Sequence, residues 1–196
     1  YVMCAKQQVS LHDVAIDMPA GPSEVCVLAD ETSRPAFVAA DLLSQAEHGA
    51  DSQVLLITTS AELIPAVQEE LTRQLDLLPR AEIARKALEN SKIVLVHTAD
   101  EMMELSNDYA PEHLIIETKD YMQMAAKVIN AGSVFLGHWT PESAGDYASG
   151  TNHTLPTHGY AVAYNGVNLD SYMRKVTFQH ITPEGVSHIG PAVACM

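Results

Sequence analysis

Five short apolar runs alternate with segments of helical periodicity, and this alternation constrains the fold of the 196-residue chain more than any other feature. A run such as QVLLIT at 53–58 contains consecutive apolar residues, which is typical of a strand buried on both faces of a parallel sheet. We therefore predict strands at 24–29, 53–58, 92–97, 113–117 and 133–136. We predict helices at about 35–48, 61–77, 80–90, 99–107 and 119–130.

Strands that alternate with helices form a parallel sheet with helices on its faces. The predicted fold class is α/β, with a Rossmann-like, open, mostly parallel sheet covered on both faces and flanking segments of a second domain. We assign 21–140 to this α/β domain, 1–20 to the end of a preceding domain and a crossover, and 141–196 to an active-site loop and a return to the neighbouring domain. No GxGxxG motif follows the first strand, so the usual dinucleotide fingerprint is missing.

The sequence changes character after residue 136. Residues 137–159 are rich in Gly, Ser, Thr, Asn and His and predict a long loop, a feature that is often functional in a compact protein. AVAYN at 161–165 resembles a further strand. The remaining residues predict one or two helices with a break near Pro183.

Charge and cysteine content exclude several classes of protein. The 25 acidic and 11 basic residues give a net charge of −14, which repels phosphate backbones, so we expect no nucleic-acid partner. No apolar run approaches the roughly 20 residues of a membrane helix, and the first residues show no signal-peptide pattern. Cys4, Cys26 and Cys195 form no CxxC motif, which speaks against a disulfide framework or zinc ribbon and favours a reducing cytoplasm.

Gln45 and His48 lie three residues apart near the end of the first predicted helix. At that spacing both side chains share one helix face and can reach one point. Imidazole is the commonest transition-metal ligand, and the amide oxygen of Gln45 is a weaker one. A solvated histidine near a helix C-terminus, favoured there by the helix dipole, is the simpler alternative.

Glu112 and His113 follow Pro111 at the edge of the fourth predicted strand, and strand ends are where open α/β sheets bind ligands. An adjacent carboxylate and imidazole supply two proton-transfer groups with different pKa values. Successive residues of an extended strand point to opposite faces, so both reach one substrate only where the backbone turns, as the proline allows. A surface glutamate beside a strand-capping histidine is the alternative.

The segment 142–153 places Asp146 and His153 among glycines, which let a backbone fold closely around a ligand. Asp146 is a candidate metal ligand and His153 a candidate substrate contact, and the alternative is an ordinary turn with Asx capping. Ser23 follows a stiff, proline-containing segment that crosses between domains. Its hydroxyl is a candidate substrate contact, and the alternative is that the segment is only a linker turn.

These candidates together offer oxygen and nitrogen ligands beside an acid-base pair. A catalytic zinc typically takes three protein ligands and keeps a position open, so metal-assisted chemistry on a small polar substrate is consistent with the residues. Hydride transfer does not follow from the residue types. A metal-dependent hydrolase and a non-catalytic metal or small-ligand binding domain are both consistent with these residues.

Four segments of this sequence resemble the histidinol dehydrogenase family in order and spacing, and the resemblance extends over about residues 5 to 190. They are DMPAGPSEVCVLAD at 17–30, DLLSQAEHGADSQV at 41–54, SNDYAPEHLII at 106–116 and AGSVFLGHWTPESAGDYASGTNHTLPT at 131–157. The resemblance implies a zinc-dependent oxidation of L-histidinol to L-histidine with two NAD⁺ through a bound aldehyde, the last step of histidine biosynthesis.

The resemblance also implies roles for individual residues. Gln45, His48 and Asp146 match the family's zinc ligands, and the same three positions also lie against the bound substrate. His113 matches the base that removes the alcohol proton and contacts the substrate, and Glu112 matches the residue that activates water. Two further positions, Ser23 and His153, match substrate contacts.

Members of the family are longer than this chain. The resemblance implies that most NAD contacts lie upstream of these residues. It places a further zinc-binding histidine and a substrate-binding glutamate downstream, contributed by the partner subunit of a domain-swapped homodimer. We therefore expect these 196 residues to be a fragment that is inactive alone.

Overall fold

A computed structural model describes all 196 residues and contains one five-stranded parallel sheet in the order β3-β2-β1-β4-β5. The sheet confirms the predicted fold class. Its strands are β1 (Glu24–Ala29), β2 (Gln53–Thr58), β3 (Lys92–Leu95), β4 (His113–Glu117) and β5 (Ser133–Leu136). Every predicted strand of the α/β domain is present; β1, β2 and β4 are almost wholly buried, whereas the edge strands β3 and β5 are partly exposed.

Helices cover both faces of this sheet, and β1, at its centre, is buried at every position. Alternate residues of β1 point to opposite faces. Val25 and Val27 pack in the core under the helices that follow β1 and β2, whereas Cys26 and Leu28 pack against the helices that follow β3 and β4. Strands buried on two sides explain why the sequence shows apolar runs without a polar alternation.

The helices of the α/β domain follow the predicted order. They are α2 (Pro35–Ala46), α3 (Leu63–Leu75), α4 (Ala81–Glu89), α5 (Ala99–Tyr109) and α6 (Tyr121–Ala125), preceded by the exposed helix α1 (Val2–His12). Pro35 begins α2 at a position where its missing N–H costs no hydrogen bond. Thr98 caps α5, since its side chain accepts a hydrogen bond from the backbone N–H of Glu101 at 3.1 Å.

Three local predictions were wrong. AVAYN at 161–165 forms no strand: a 3₁₀ turn spans Tyr160–Val162, and this segment pairs with none of the five strands of the sheet. The helix predicted at 119–130 is limited to Tyr121–Ala125. The loop predicted at 137–159 contains a short helix, α7 (Glu142–Tyr147), which packs on α2.

The residues after Thr157 contribute no buried side chain. This part contains a 3₁₀ turn at Leu169–Tyr172 and helix α8 (Pro183–Ala194), and it leaves large apolar side chains in contact with solvent, among them Tyr172 and Phe178. The break expected near Pro183 is the start of α8, whose cap is Thr182. None of the helices is long and apolar enough to span a membrane.

Candidate metal and catalytic site

The candidate residues gather at the amino edge of the sheet, where the parallel strands begin. Glu24 is the first residue of β1 and His113 the first of β4, and these strands pair side by side. Open α/β sheets usually bind ligands at the opposite, carboxyl edge. The candidate residues therefore lie at strand ends, as predicted, but at the amino edge of the sheet, which is the less usual one.

The backbone turns sharply before β4, and this turn brings Glu112 and His113 into one site. Ala110 ends α5 in the left-handed region, with φ of 50°, and Glu112 lies in a bend. The distance from Glu112 Oε2 to His113 Nδ1 is 3.6 Å, and both side chains are buried. Gly132 allows β5 to pass close by, because a Cβ at this position would lie 2.5 Å from the carbonyl oxygen of Glu112.

The protonation of His113 follows from its neighbours. Its Nδ1 lies 3.0 Å from the carbonyl oxygen of Glu24, and because a carbonyl oxygen only accepts, Nδ1 must carry the proton. Burial lowers the pKa of His113, although the carboxylates of Glu142 and Asp146 act in the opposite direction. The neutral ring therefore presents an unprotonated Nε2, which is buried and has no hydrogen-bond partner. This is the form that a general base requires.

Glu112 is held by the backbone of β1. The N–H of Glu24 donates to Glu112 Oε2 at 2.8 Å. Burial is the main cause that raises the pKa of Glu112 to about 8; this N–H acts in the opposite direction, and the negative charges of Glu24, Glu142 and Asp146 add to the rise. Since the pKa of Glu112 rises while that of His113 falls, their close contact joins two largely neutral groups and is not an ion pair. A carboxyl with a pKa near neutrality is suited to exchange protons with water.

Helix α7 adds two carboxylates to the site. Glu142 and Asp146 are four residues apart and share a helix face. With His113 they form a group whose potential ligand atoms all lie within 4.8 Å of one another. We had not predicted a role for Glu142, because its segment was interpreted as a loop. The spacing from Asp146 was the available signal, but it becomes informative only if the segment is helical.

Gln45 lies in the last turn of α2 with 1% of its surface exposed, and its Oε1 is buried without a hydrogen-bond partner. His48 follows α2 and lines an open cavity of about 410 Å³ together with Ser23. His48 also lies near enough to His113 for its charge to lower the pKa of that ring. Thus the structure brings Gln45, His48 and Ser23 to the edge at which β4 begins, whereas His153 is exposed and makes no hydrogen bond.

The donor atoms at this edge fit a zinc ion. Buried polar atoms without partners are uncommon in folded proteins, and the site has three: Gln45 Oε1, His113 Nε2 and Glu142 Oε1. The predicted ligands Gln45, His48 and Asp146 offer an amide oxygen, an imidazole nitrogen and a carboxylate oxygen, and zinc takes imidazole nitrogen and carboxylate oxygen at catalytic sites. Of the three, Asp146 belongs to the group with His113 and Glu142 whose ligand atoms lie within 4.8 Å of one another.

Comparison with known proteins agrees with the resemblance seen in the sequence. The sequence model of the histidinol dehydrogenase family matches residues 1–196. The chain belongs to the histidinol dehydrogenase family. A histidinol dehydrogenase from Bacteroides thetaiotaomicron is 69% identical over 193 residues, which cover 98% of this chain and 45% of the relative. The chloroplastic histidinol dehydrogenase of Arabidopsis thaliana is 54% identical over 199 residues, covering 100% of this chain and 43% of the relative.

The fold of this histidinol dehydrogenase family member also matches a solved structure. The crystal structure of histidinol dehydrogenase from Elizabethkingia anophelis superimposes with a TM-score of 0.96 at 54% identity, covering 100% of this chain and 45% of that chain. The chain thus spans slightly less than half the length of the relatives it matches.

Proposed function

We propose that this chain, within a polypeptide of the relatives' full length, oxidises L-histidinol to L-histidine, the last step of histidine biosynthesis. The observation that carries the proposal is the buried pair of Glu112 and His113 beside Asp146, in a member of the histidinol dehydrogenase family. The reaction removes four electrons in two steps, and each step delivers one hydride to NAD⁺. We refer to this polypeptide below as the full-length protein.

His113 serves the first oxidation. Its Nε2 has a free electron pair because the single ring proton is on Nδ1, which donates a hydrogen bond to the carbonyl oxygen of Glu24. Nε2 takes the hydroxyl proton of the alcohol as hydride leaves the carbinol carbon, so that the substrate becomes an aldehyde. Neutral imidazole is the base needed near physiological pH, and the burial of His113 keeps it neutral.

Glu112 serves the second oxidation. Its carboxyl group lies beside His113, and the backbone N–H of Glu24 orients it. In its ionised form, which a pKa of about 8 leaves accessible near neutral pH, Glu112 accepts a proton from water while the water oxygen bonds to the aldehyde carbon, giving the hydrate anion. This hydrate anion then loses a hydride to a second NAD⁺ and becomes the carboxylic acid. A pKa of about 8 places this group in the range where a proton moves readily in either direction at neutral pH.

Gln45, His48 and Asp146 are the residues that we propose to hold zinc. Bound there, the metal would supply a fixed positive charge that grips nitrogen atoms of the substrate. Ser23 faces the same cavity as His48 and is proposed to contact the substrate, and so is His153, although its side chain is exposed in this chain. A substrate held at several points presents its carbinol carbon in one orientation, which favours hydride transfer.

The proposal extends to assembly and location. We propose a cytoplasmic homodimer in which a C-terminal segment of the partner subunit completes the site, with most NAD contacts outside this chain. The proposed domains remain 1–20, 21–140 and 141–196, and these 196 residues alone are proposed to be inactive. The apolar side chains exposed after Thr157 support a neighbouring domain or subunit at that surface.

A coupled assay tests the proposed function. The full-length protein with zinc is expected to form two equivalents of NADH per L-histidinol. His113→Gln should abolish this activity, whereas Glu69→Gln, on the exposed face of α3, should not. Absence of NADH formation by the intact protein would contradict the proposal and return the metal-dependent hydrolase or the binding domain to consideration.

Metal analysis tests the proposed zinc ligands separately. Asp146→Ala should lower the zinc content of the full-length protein. Asp108→Ala, a matched change on the exposed side of α5, should leave it unchanged. Equal zinc contents for the two variants would remove Asp146 from the ligand set without affecting the assignment of the reaction.

A further inference from the structure

Glu142 is a buried carboxylate to which the proposed reaction assigns no role. It begins α7, exposes 1% of its surface, and has one carboxylate oxygen without a hydrogen-bond partner. That atom, Oε1, lies 3.8 Å from Nε2 of His113. Burying a charged group is costly unless something compensates it, so a carboxylate in this position calls for a specific explanation.

Neighbouring groups on α2 hold this carboxylate in one orientation. The hydroxyl of Ser44 donates to Glu142 Oε2 at 2.8 Å, and the backbone N–H of Glu142 donates to Asp41 Oδ1 at 3.4 Å. Both contacts join α7 to α2 across about a hundred residues of sequence. Because Oε2 is engaged by Ser44, Oε1 is the atom left facing the histidine.

The ring of His113 is oriented from its other side. Nδ1 donates to the carbonyl oxygen of Glu24, and this bond directs Nε2 towards Glu142. In the neutral ring Nε2 carries no hydrogen, so the two atoms cannot form a hydrogen bond. Once Nε2 has accepted a proton, it becomes a donor and Glu142 Oε1 is the carboxylate oxygen nearest to it. The contact therefore gains strength only after proton transfer.

We propose that Glu142 is a positioning residue that acts through His113 and stabilises the proton this ring receives from the substrate. The proposal rests on the proposed function of the full-length protein. An interaction that forms only as the proton moves accelerates the chemical step without strengthening substrate binding. The geometry therefore predicts an effect on kcat and not on KM.

Steady-state kinetics of the zinc-loaded full-length protein test this role. Glu142→Gln keeps the shape of the side chain but removes its charge, and should lower kcat for histidinol roughly 10- to 100-fold with little change in KM, as expected for a hydrogen bond to a charged group. Zinc content should remain that of the unaltered protein. Glu142→Asp retains the charge and should recover part of kcat, and Glu69→Gln on the exposed face of α3 should have no effect.

Ser44→Ala provides a second variant that does not alter the carboxylate. It removes the hydroxyl that holds Oε2 and should cause a smaller fall in kcat with the same unchanged KM. The proposal would be overturned if Glu142→Gln left kcat unaltered or raised KM alone. It would also be overturned if this variant lost zinc, because Glu142 would then be a metal ligand. If the unaltered protein fails to form NADH, the proposed function fails instead, so the two failures are distinguishable.

Discussion

Replacing Glu117 by glutamine should change the pH dependence of stability. Glu117 ends β4 with 1% of its surface exposed, and neither carboxylate oxygen has a hydrogen-bond donor. It faces Asp41 of α2, which is also buried. The pKa of Glu117 is raised from 4.5 to about 9. Burial is the larger cause of this rise, and the neighbouring carboxyl of Asp41 is the other. The folded protein therefore keeps a proton here at neutral pH.

The sign and size of the effect follow from this proton. In the unfolded chain Glu117 has lost its proton above its ordinary pKa of 4.5, whereas in the folded protein it holds the proton up to about pH 9. Between these values the folded state binds one more proton, so stability falls as pH rises, by about 1.4 kcal/mol per pH unit. Over the interval from pH 6 to pH 8 this amounts to roughly 3 kcal/mol.

Glu117→Gln removes this dependence, because an amide has similar shape, cannot ionise, and can donate a hydrogen bond to Asp41. The free energy of unfolding of the variant, relative to the unaltered protein, should therefore rise by roughly 3 kcal/mol from pH 6 to pH 8. Urea denaturation followed by circular dichroism in a chelating buffer measures this difference. Glu112 and the titrating groups that do not contact Glu117 occur in both proteins and cancel, and Asp41 keeps a hydrogen-bond donor beside it in the variant.

Glu69→Gln on the exposed face of α3 is the matched control, and its stability should run parallel to that of the unaltered protein across the same pH range. A Glu117→Gln curve that also ran parallel would refute the reasoning. It would mean that Glu117 is ionised in the folded state, with Asp41 carrying the proton or with water compensating the charge.

Three further changes test the packing and the capping described above. Gly132→Ala should destabilise the protein by about 1–3 kcal/mol and displace Glu112, because the new Cβ would lie 2.5 Å from the carbonyl oxygen of Glu112. Thermal denaturation measures this effect, and Gly190→Ala, whose new Cβ meets open space, is the control. Thr98→Ala should lower the free energy of unfolding by about 1 kcal/mol, because it removes the cap of α5. Thr98→Ser keeps a capping hydroxyl and should retain most of that stability in the same assay. Leu28→Ala should lower the free energy of unfolding by about 2–5 kcal/mol, whereas Leu77→Ala, at a residue 73% exposed, should change it little in urea denaturation.

The sequence by itself determined the order of the elements and the class of the fold. The runs at 24–29, 53–58 and 113–117 each contain three or more consecutive apolar residues, and such runs are most stable between two layers of helices. The Pro111-Glu112-His113 turn was also readable, because proline restricts the backbone before and at its own position. These are local properties, and local properties are what a single sequence displays most directly.

The tertiary structure alone decided which edge of the sheet holds the site, that residues 142–147 are helical, and which nitrogen of His113 carries the proton. Each of these depends on a contact between distant parts of the chain: Glu24 with His113 across 89 positions, and Ser44 with Glu142 across 98. The expected strand at 161–165 failed for the same reason, since a strand is stabilised by a partner that its own residues do not specify. Short segments acquire their structure and chemistry from what they pack against, and that information lies elsewhere in the sequence.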